Sequence, residues 1–242
     1  KADRLFAWRR GNSFRYVVCN VKTPKVESNE EEKRSLNIAL VIDASGSMQG
    51  YPLQAAKDTA LAMVERLEDG DVLSIVSFAE DSIAHLSGQV MNEEGRRQAE
   101  NAIMSLTTRG MTDLAGGWFL GAREASSAME LHPEHLNQVI LLSDGHANRG
   151  ILEPDILATH AAEMRGRGVS TSTVGIGEDY SITQLQALAE SGGGRMHDAQ
   201  FSHEIAEVVL AELGEARAIF AEDIRVVLDG PETAAVDILE SY

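Results

Sequence analysis

The chain has 242 residues, a hydrophobic fraction of 43 % and a formal net charge of −17, from 38 acidic and 21 basic residues. This length and apolar content suit one large globular domain, or one domain with an appendage, that buries a sizeable core. The negative charge repels phosphate backbones, so we do not expect nucleic acid as a partner and favour a cation or a basic protein.

Cysteine content and the chain ends bear on the compartment. The single cysteine, Cys19, excludes an internal disulfide framework and leans towards a reducing, cytoplasmic location. Because the chain starts at Lys1 and not at methionine, we expect a processed or excised piece, which leaves a cell-envelope location open. No apolar run approaches the ~20 residues that a membrane span needs, so no span is expected in this chain.

Strand-like apolar runs and amphipathic helical stretches alternate through the middle of the chain. We predict strands over 36–42, 71–78, 137–144 and 169–177, and a short edge strand over 82–86. Helices are predicted between and after these strands, over 51–67, 93–106, 112–130, 154–168, 181–194 and 202–218. Trp118 and Phe119 lie inside a predicted helix and are expected in the core. Glycines 192–194 are expected to stop a helix.

Buried strands that do not alternate apolar with polar residues are typical of a mainly parallel sheet. We therefore predict an α/β fold over 34–218, with a doubly wound sheet and helices on both faces. The two chain ends differ from this pattern, because each is predicted to form a pair of strands. We expect residues 1–33 and 219–242 to join in a small antiparallel β module; alternatively, each end extends the main sheet.

The segment DASGSM, residues 43–48, follows the first predicted strand and holds a carboxylate, two hydroxyls and a glycine. Taken alone, it is equally typical of a turn that caps the next helix. Ligands of open parallel sheets bind at the carboxyl ends of strands, where the strand order reverses. If the strands at 36–42 and 137–144 are neighbours at that reversal, five oxygen-bearing side chains converge there: Asp43, Ser45, Ser47, Thr112 and Asp144.

The order and spacing of these residues resemble the von Willebrand factor type A (vWA) domain. Its metal ion-dependent adhesion site (MIDAS) has the pattern Asp-x-Ser-x-Ser…Thr…Asp, which DASGS, GMT and LLSDG match. Residues 174–199 are also similar to the later strand, helix and Gly-Gly turn of the family, and the flanking β segments are similar to those of bacterial members. The resemblance covers about 34–218 and implies a Rossmann-like fold.

Hydroxyl and carboxylate oxygens suit a hard cation, namely Mg²⁺, with Mn²⁺ or Ca²⁺ also possible. By resemblance, Ser45 and Ser47 ligate the ion through their hydroxyls, and Thr112 binds it directly or through water. Asp43 and Asp144 act through bridging waters and hydrogen bonds to the serines. The resemblance also implies the function, a protein-binding module whose metal ion captures an Asp or Glu side chain of a partner protein.

Other functions stay open. The alternative is a structural scaffold, or a regulatory subunit of a larger complex, with a non-essential metal site. We do not expect an enzyme, because the sequence has neither a Gly-x-Ser-x-Gly elbow nor a Walker phosphate loop. Ser45 also stands where phosphatases that form a phosphoaspartate usually place a second Asp. At the rim, we expect His146 to be a solvated loop residue and Met111 to make the surface apolar.

Overall fold

The structure is a computed structural model that describes residues 34–177, 180–199 and 202–217. Its strands, in chain order, are β1 (Leu36–Asp43), β2 (Val72–Phe78), β3 (Ser82–Val90), β4 (Leu136–Ser143), β5 (Val169–Ile176) and β6 (Gly193–Ala199). Its helices are α1 (Tyr51–Arg66), α2 (Glu93–Met104), α3 (Leu114–Leu131), α4 (Pro154–Gly166), α5 (Ile182–Ser191) and α6 (Ser202–Arg217).

The strands form one sheet in the order β3-β2-β1-β4-β5-β6. Every neighbouring pair is parallel except β2 and β3, which are antiparallel at one edge. The chain moves outward from β1 to β3 and then returns to place β4 on the other side of β1. The predicted doubly wound, mainly parallel α/β fold is confirmed, and the strand order reverses between β1 and β4.

Side chains of β1 alternate between two apolar layers. Ile38 and Leu40 pack in the layer that α1, α2 and α6 cover, whereas Ala39 and Val41 pack in the layer that α3, α4 and α5 cover. All eight residues of β1 are buried. Helices therefore cover both faces of the sheet, which explains why the strand sequence is continuously apolar.

Helix α3 begins at Leu114, two residues after the predicted start at 112. The side chain of Asp113, and not that of Thr112, caps α3 by accepting a 2.9 Å hydrogen bond from the backbone N–H of Gly116. This satisfies one of the amide groups that a helix leaves unpaired at its start. The hydroxyl of Thr112 is consequently not used as the cap.

Other expectations need correction. Phe119 is 37 % exposed, because it lies on the outer face of α3, whereas Trp118 is fully buried as predicted. The edge strand β3 runs to Val90, four residues beyond its predicted end at Leu86, and stays paired with β2.

The glycines at 192–194 do more than stop a helix. Gly192 caps α5 as expected, with its N–H donating to Leu188, but Gly193 already begins a sixth strand. An added Cβ on Gly194 would lie 2.2 Å from the carbonyl oxygen of Thr171, so a glycine is needed for β6 to approach β5. This sixth strand was not predicted.

The predicted β module of residues 1–33 and 219–242 lies outside the described residues, as does Cys19. Within the part of the chain that the structure describes, no helix combines the length and the apolar character needed to cross a membrane.

Candidate metal centre

Three loops meet where the strand order reverses. One follows β1, one follows β4, and the third leads from α2 into α3. Two backbone hydrogen bonds join the first and third loops. The N–H of Arg109 donates to the carbonyl of Ala44 at 2.6 Å, and the N–H of Gly46 donates to the carbonyl of Gly110 at 3.1 Å. These two loops are thus held together at the carboxyl edge of the sheet, where ligands of such sheets bind.

Asp43 is the last residue of β1 and is fully buried. Its Oδ1 accepts a 2.8 Å hydrogen bond from the backbone N–H of Ser45, and its Oδ2 accepts one of 2.6 Å from the hydroxyl of Ser143. Burial raises the pKa of Asp43 above its usual 3.8, while the hydrogen bonds from both serines oppose that rise. The carboxylate is therefore rigidly oriented beneath the loop.

Ser47 lies within a short 3₁₀ turn, Gly46–Met48, and Ser45 directly precedes it. The last side chain of the turn is fully buried and anchors it. Their hydroxyl oxygens are 3.0 Å apart, and the Ser47 hydroxyl donates a 2.7 Å hydrogen bond to Oδ1 of Asp144. Ser45 is buried, whereas Ser47 is exposed at the mouth. The two hydroxyls therefore connect β1 to the residue that follows β4.

Thr112 precedes the cap of α3 and is 4 % exposed. Its backbone N–H donates a 2.9 Å hydrogen bond to Oδ1 of Asn148. Its carbonyl accepts hydrogen bonds from the backbone N–H groups of Asn148 and Arg149, at 3.0 and 3.2 Å. These bonds attach the third loop to the loop after β4, so Thr112 lies beside Asp144.

Ser47, Thr112 and Asp144 line one cleft of about 310 Å³. The other residues that line it are Gly46, Gly110, Gly145, His146 and Asn148. An added Cβ on Gly145 would lie 3.3 Å from the Ser47 hydroxyl, so a larger residue there would crowd the cleft. His146 is exposed, as expected, and it also borders the cleft.

The structure thus brings all five predicted residues to one edge of the sheet. Ser47, Thr112 and Asp144 face the cleft, Ser45 contacts Ser47 from behind, and Asp43 supports Ser45 through its backbone. Every side-chain group in this set is a hydroxyl or carboxylate oxygen, which is the donor type that Mg²⁺ prefers. The donor set fits a hard divalent cation.

The sequence prediction missed two supporting residues. Ser143 holds Asp43, and Asn148 holds Thr112. Ser143 stands next to Asp144 in the LLSDG segment, so its position at a strand end was visible. Asn148 had no such signal, because its role depends on how the loop after β4 folds back onto Thr112.

A mostly parallel sheet with helices on both faces and this polar carboxyl edge defines the architecture of a vWA domain. A profile of the von Willebrand factor type A domain family matches residues 36–198. The chain therefore belongs to the von Willebrand factor type A domain family.

Similar proteins are consistent with this assignment. The protein sll0103 of Synechocystis sp. is 32 % identical over 171 residues, which are 69 % of this chain and 38 % of sll0103. A von Willebrand factor type A structure from Catenulispora acidiphila is similar with a TM-score of 0.65 and 21 % identity, over 76 % of this chain and 43 % of that one. The chain spans less than half the length of each of these two relatives.

A third relative contains a metal. Proximal thread matrix protein 1 from the mussel byssus, described with a zinc-occupied MIDAS motif, is similar with a TM-score of 0.62 and 21 % identity. The match covers 76 % of this chain and 46 % of the mussel protein. At this identity the likeness shows the fold alone.

Proposed function

We propose that this chain is a divalent-metal-dependent protein-binding module. Mg²⁺ at the cleft edge captures an Asp or Glu side chain of a partner protein, and Mn²⁺ or Ca²⁺ are also suited to the site. The observation that carries the proposal is the continuous hydrogen-bonded path from Asp43 through Ser45 and Ser47 to Asp144, with Thr112 in the same cleft.

The residues divide into ligands and supports. Ser45 and Ser47 offer neutral hydroxyls, and Thr112 offers a third, directly or through water. Asp43 and Asp144 orient these hydroxyls and balance part of the charge of the ion. When bound, the cation supplies a Lewis-acidic position that accepts a carboxylate oxygen. The zinc ion in the mussel protein's MIDAS motif supports a divalent ion as the occupant of this type of site.

The electrostatics of the surface limit the choice of partner. A chain of net charge −17 repels an acidic partner at long range. Screening over about 8–10 Å at physiological salt confines that repulsion. Met111 beside Thr112 is 50 % exposed and adds an apolar contact at the rim. The partner we expect presents one acidic side chain within a basic or apolar surface.

The surroundings of the serines support a binding role over catalysis. Among the described residues, no histidine forms a hydrogen bond with Ser45 or Ser47, and the Ser47 hydroxyl donates to a carboxylate. A serine nucleophile needs a general base within hydrogen-bond reach. We therefore propose that the chain is not an enzyme. Turnover of an ester or phosphoester that disappears in Asp43→Ala would contradict this.

Calorimetry with Mg²⁺ and Mn²⁺ tests the metal site first. The Ser45→Ala/Thr112→Ala double variant should lose binding. A matched control, Ser126→Ala/Thr159→Ala, removes two hydroxyls that donate within helices α3 and α4 and should bind as the unaltered chain does. Unchanged Mg²⁺ binding in the first double variant would contradict the proposed ligands.

Capture of a partner from a lysate of the source cells then tests the function. Binding should require Mg²⁺, should be lost in EDTA, and should fail in the Ser45→Ala/Thr112→Ala variant. Partner binding that survives both changes would overturn carboxylate capture. If the unaltered chain nevertheless binds Mg²⁺, that result would favour the alternative, a scaffold or regulatory subunit whose metal site is not essential.

A further inference from the structure

Two histidines and a glutamate lie together where α3 ends and β4 begins. The N–H of His132 donates to the carbonyl of Ala128 at 3.0 Å and closes the helix. The N–H of His135 donates to the carbonyl of His132 at 3.1 Å, and Leu136 then starts β4. This tight turn places His132, Glu134 and His135 at the amino end of β4, away from the cleft at its carboxyl end.

The three side chains are close enough to share one ion. One potential ligand atom from each of His132, Glu134 and His135 lies within 4.8 Å of the others. The two imidazole rings stack with centroids 4.8 Å apart, and Nε2 of His135 is 3.6 Å from Oε1 of Glu134. Ligands of a tetrahedral Zn²⁺ lie about 3.3 Å apart, given bonds of about 2.0–2.2 Å. Because the two rings are stacked, His132 and Glu134, the more accessible pair, must rotate to bring all three ligand atoms to that spacing.

His135 is the most buried member of the cluster. This residue is only 6 % exposed, yet its buried Nδ1 has no hydrogen-bond partner among the described residues. A buried polar atom without a partner is costly and uncommon. A neutral imidazole carries a lone pair on one of its two nitrogens, which is the form that binds a metal ion.

The charge around the cluster favours a cation. The carboxylates of Glu134 and Asp71 both favour positive charge at the ring of His135, whereas a protonated His132 opposes it. Asp71 is buried directly before β2 and is held there, because its two oxygens accept hydrogen bonds from the backbone N–H groups of Leu36 and Glu68. It therefore contributes a fixed negative charge near the cluster.

We propose that His132, Glu134 and His135 form a second metal site, selective for a late first-row divalent ion such as Zn²⁺. Imidazole ligands suit Zn²⁺, Cu²⁺ and Ni²⁺, whereas Mg²⁺ prefers oxygen. The site lies at the opposite end of β4 from Asp144, about 25 Å away at the rise of a strand. The two sites therefore fill independently. Three protein ligands leave a fourth position for water or for a donor from another molecule.

Zinc titration tests this second site with the MIDAS disabled. The host is the Ser45→Ala/Thr112→Ala variant in excess Mg²⁺, so that zinc at the first cleft does not contribute. Into this host we introduce His132→Ala or Glu134→Gln, which alter the more accessible ligands and leave the buried ring in place. The matched control carries His160→Ala and Glu163→Gln, another neighbouring His–Glu pair, 3.8 Å apart on α4.

We expect calorimetry to show one Zn²⁺ per host chain and zinc to raise its unfolding temperature. Each ligand variant should weaken Zn²⁺ binding by at least about tenfold, since loss of a supporting partner alone has an effect of that size. The control should bind zinc as the host does. Bound Co²⁺ should give the absorption bands of a four-coordinate site.

Two results would overturn the proposal. One is a host that binds no Zn²⁺, which would assign any zinc bound by the unaltered chain to the MIDAS. The other is zinc binding that both ligand variants retain at full affinity. Circular dichroism of each variant shows whether it is folded, and Glu134→Gln at an exposed position provides the decisive comparison if His132→Ala unfolds.

Discussion

The hydroxyl of Ser143 lies 2.6 Å from Oδ2 of Asp43 and joins the ends of β4 and β1 directly beneath the candidate metal centre. The two residues are fully buried and 100 positions apart in the chain. Their contact crosses the point where the strand order reverses, so the topology of the sheet is what brings them together. Asp43 in turn holds the backbone of Ser45.

Ser143→Ala should therefore weaken Mg²⁺ binding without unfolding the domain. Removing the hydroxyl takes away the largest of the interactions that oppose the raised pKa of Asp43. The ionised form of the Asp43 side chain is then less favoured, and its carboxylate is less well oriented. We expect a loss of about tenfold in affinity, as for other supporting residues of metal sites. Calorimetry measures it. Ser170→Ala is the control, because its hydroxyl donates to the carbonyl of Asn137 near the other end of β4; equal affinities in the two variants would contradict the prediction.

The sequence indicated the positions of the five candidate residues because parallel strands place all their carboxyl ends at one edge. It did not indicate the contacts beneath them. Ser143 could be identified only after β1 and β4 were known to be neighbours, and Asn148 only after the fold of its loop was known. β6 was missed because it begins with glycines, which are uncommon inside strands. Phe119 was misplaced because composition does not specify which face of α3 meets the sheet.

Asp43→Asn should stabilise the metal-free protein at pH 7 and abolish Mg²⁺ binding. Because burial raises the pKa of Asp43 in the folded state above 3.8, the folded chain binds this proton more tightly than the unfolded chain does. The ionised group therefore destabilises the fold above both pKa values, and this penalty fades as the pH falls through the folded-state pKa. Asparagine removes the penalty and keeps the size of the side chain.

Urea unfolding in EDTA, measured from pH 7 down to pH 4, tests this effect. The midpoint of Asp43→Asn should exceed that of the unaltered chain at pH 7, and the two should converge as the solution becomes acidic. Asp58→Asn, at an exposed position of α1, serves as the control. It should change neither the midpoint at pH 7 nor the dependence of the midpoint on pH. A midpoint for Asp43→Asn below that of the unaltered chain at pH 7 would show that the ionised carboxylate stabilises the fold.

Glu212 attaches α6 to the sheet through three side chains. Its Oε2 accepts hydrogen bonds from Gln138 at 2.9 Å and Ser172 at 2.6 Å, and its Oε1 lies 2.7 Å from Nε2 of His197. Glu212→Ala leaves these partners without their acceptor, so we expect a loss of about 3 kcal/mol in the free energy of unfolding. Urea denaturation measures it, with exposed Glu207→Ala on the same helix as the control. Similar stabilities for the two variants would mean that this network does not hold α6.

Gly121 lies where α3 packs tightly against β1. An added Cβ there would lie 2.2 Å from Cγ2 of Val41, so Gly121→Ala should destabilise the protein by about 1–3 kcal/mol through overpacking. Gly166→Ala is the control: nothing lies within 4 Å of its added Cβ, and better helix propensity should stabilise α4 by up to about 1 kcal/mol. Urea denaturation compares them. If the clash with Val41 is the cause, Gly121→Ala should lower the free energy of unfolding less in a Val41→Ala background than in the unaltered chain. If the effects of the two substitutions on that free energy simply add, the clash with Val41 is not the cause.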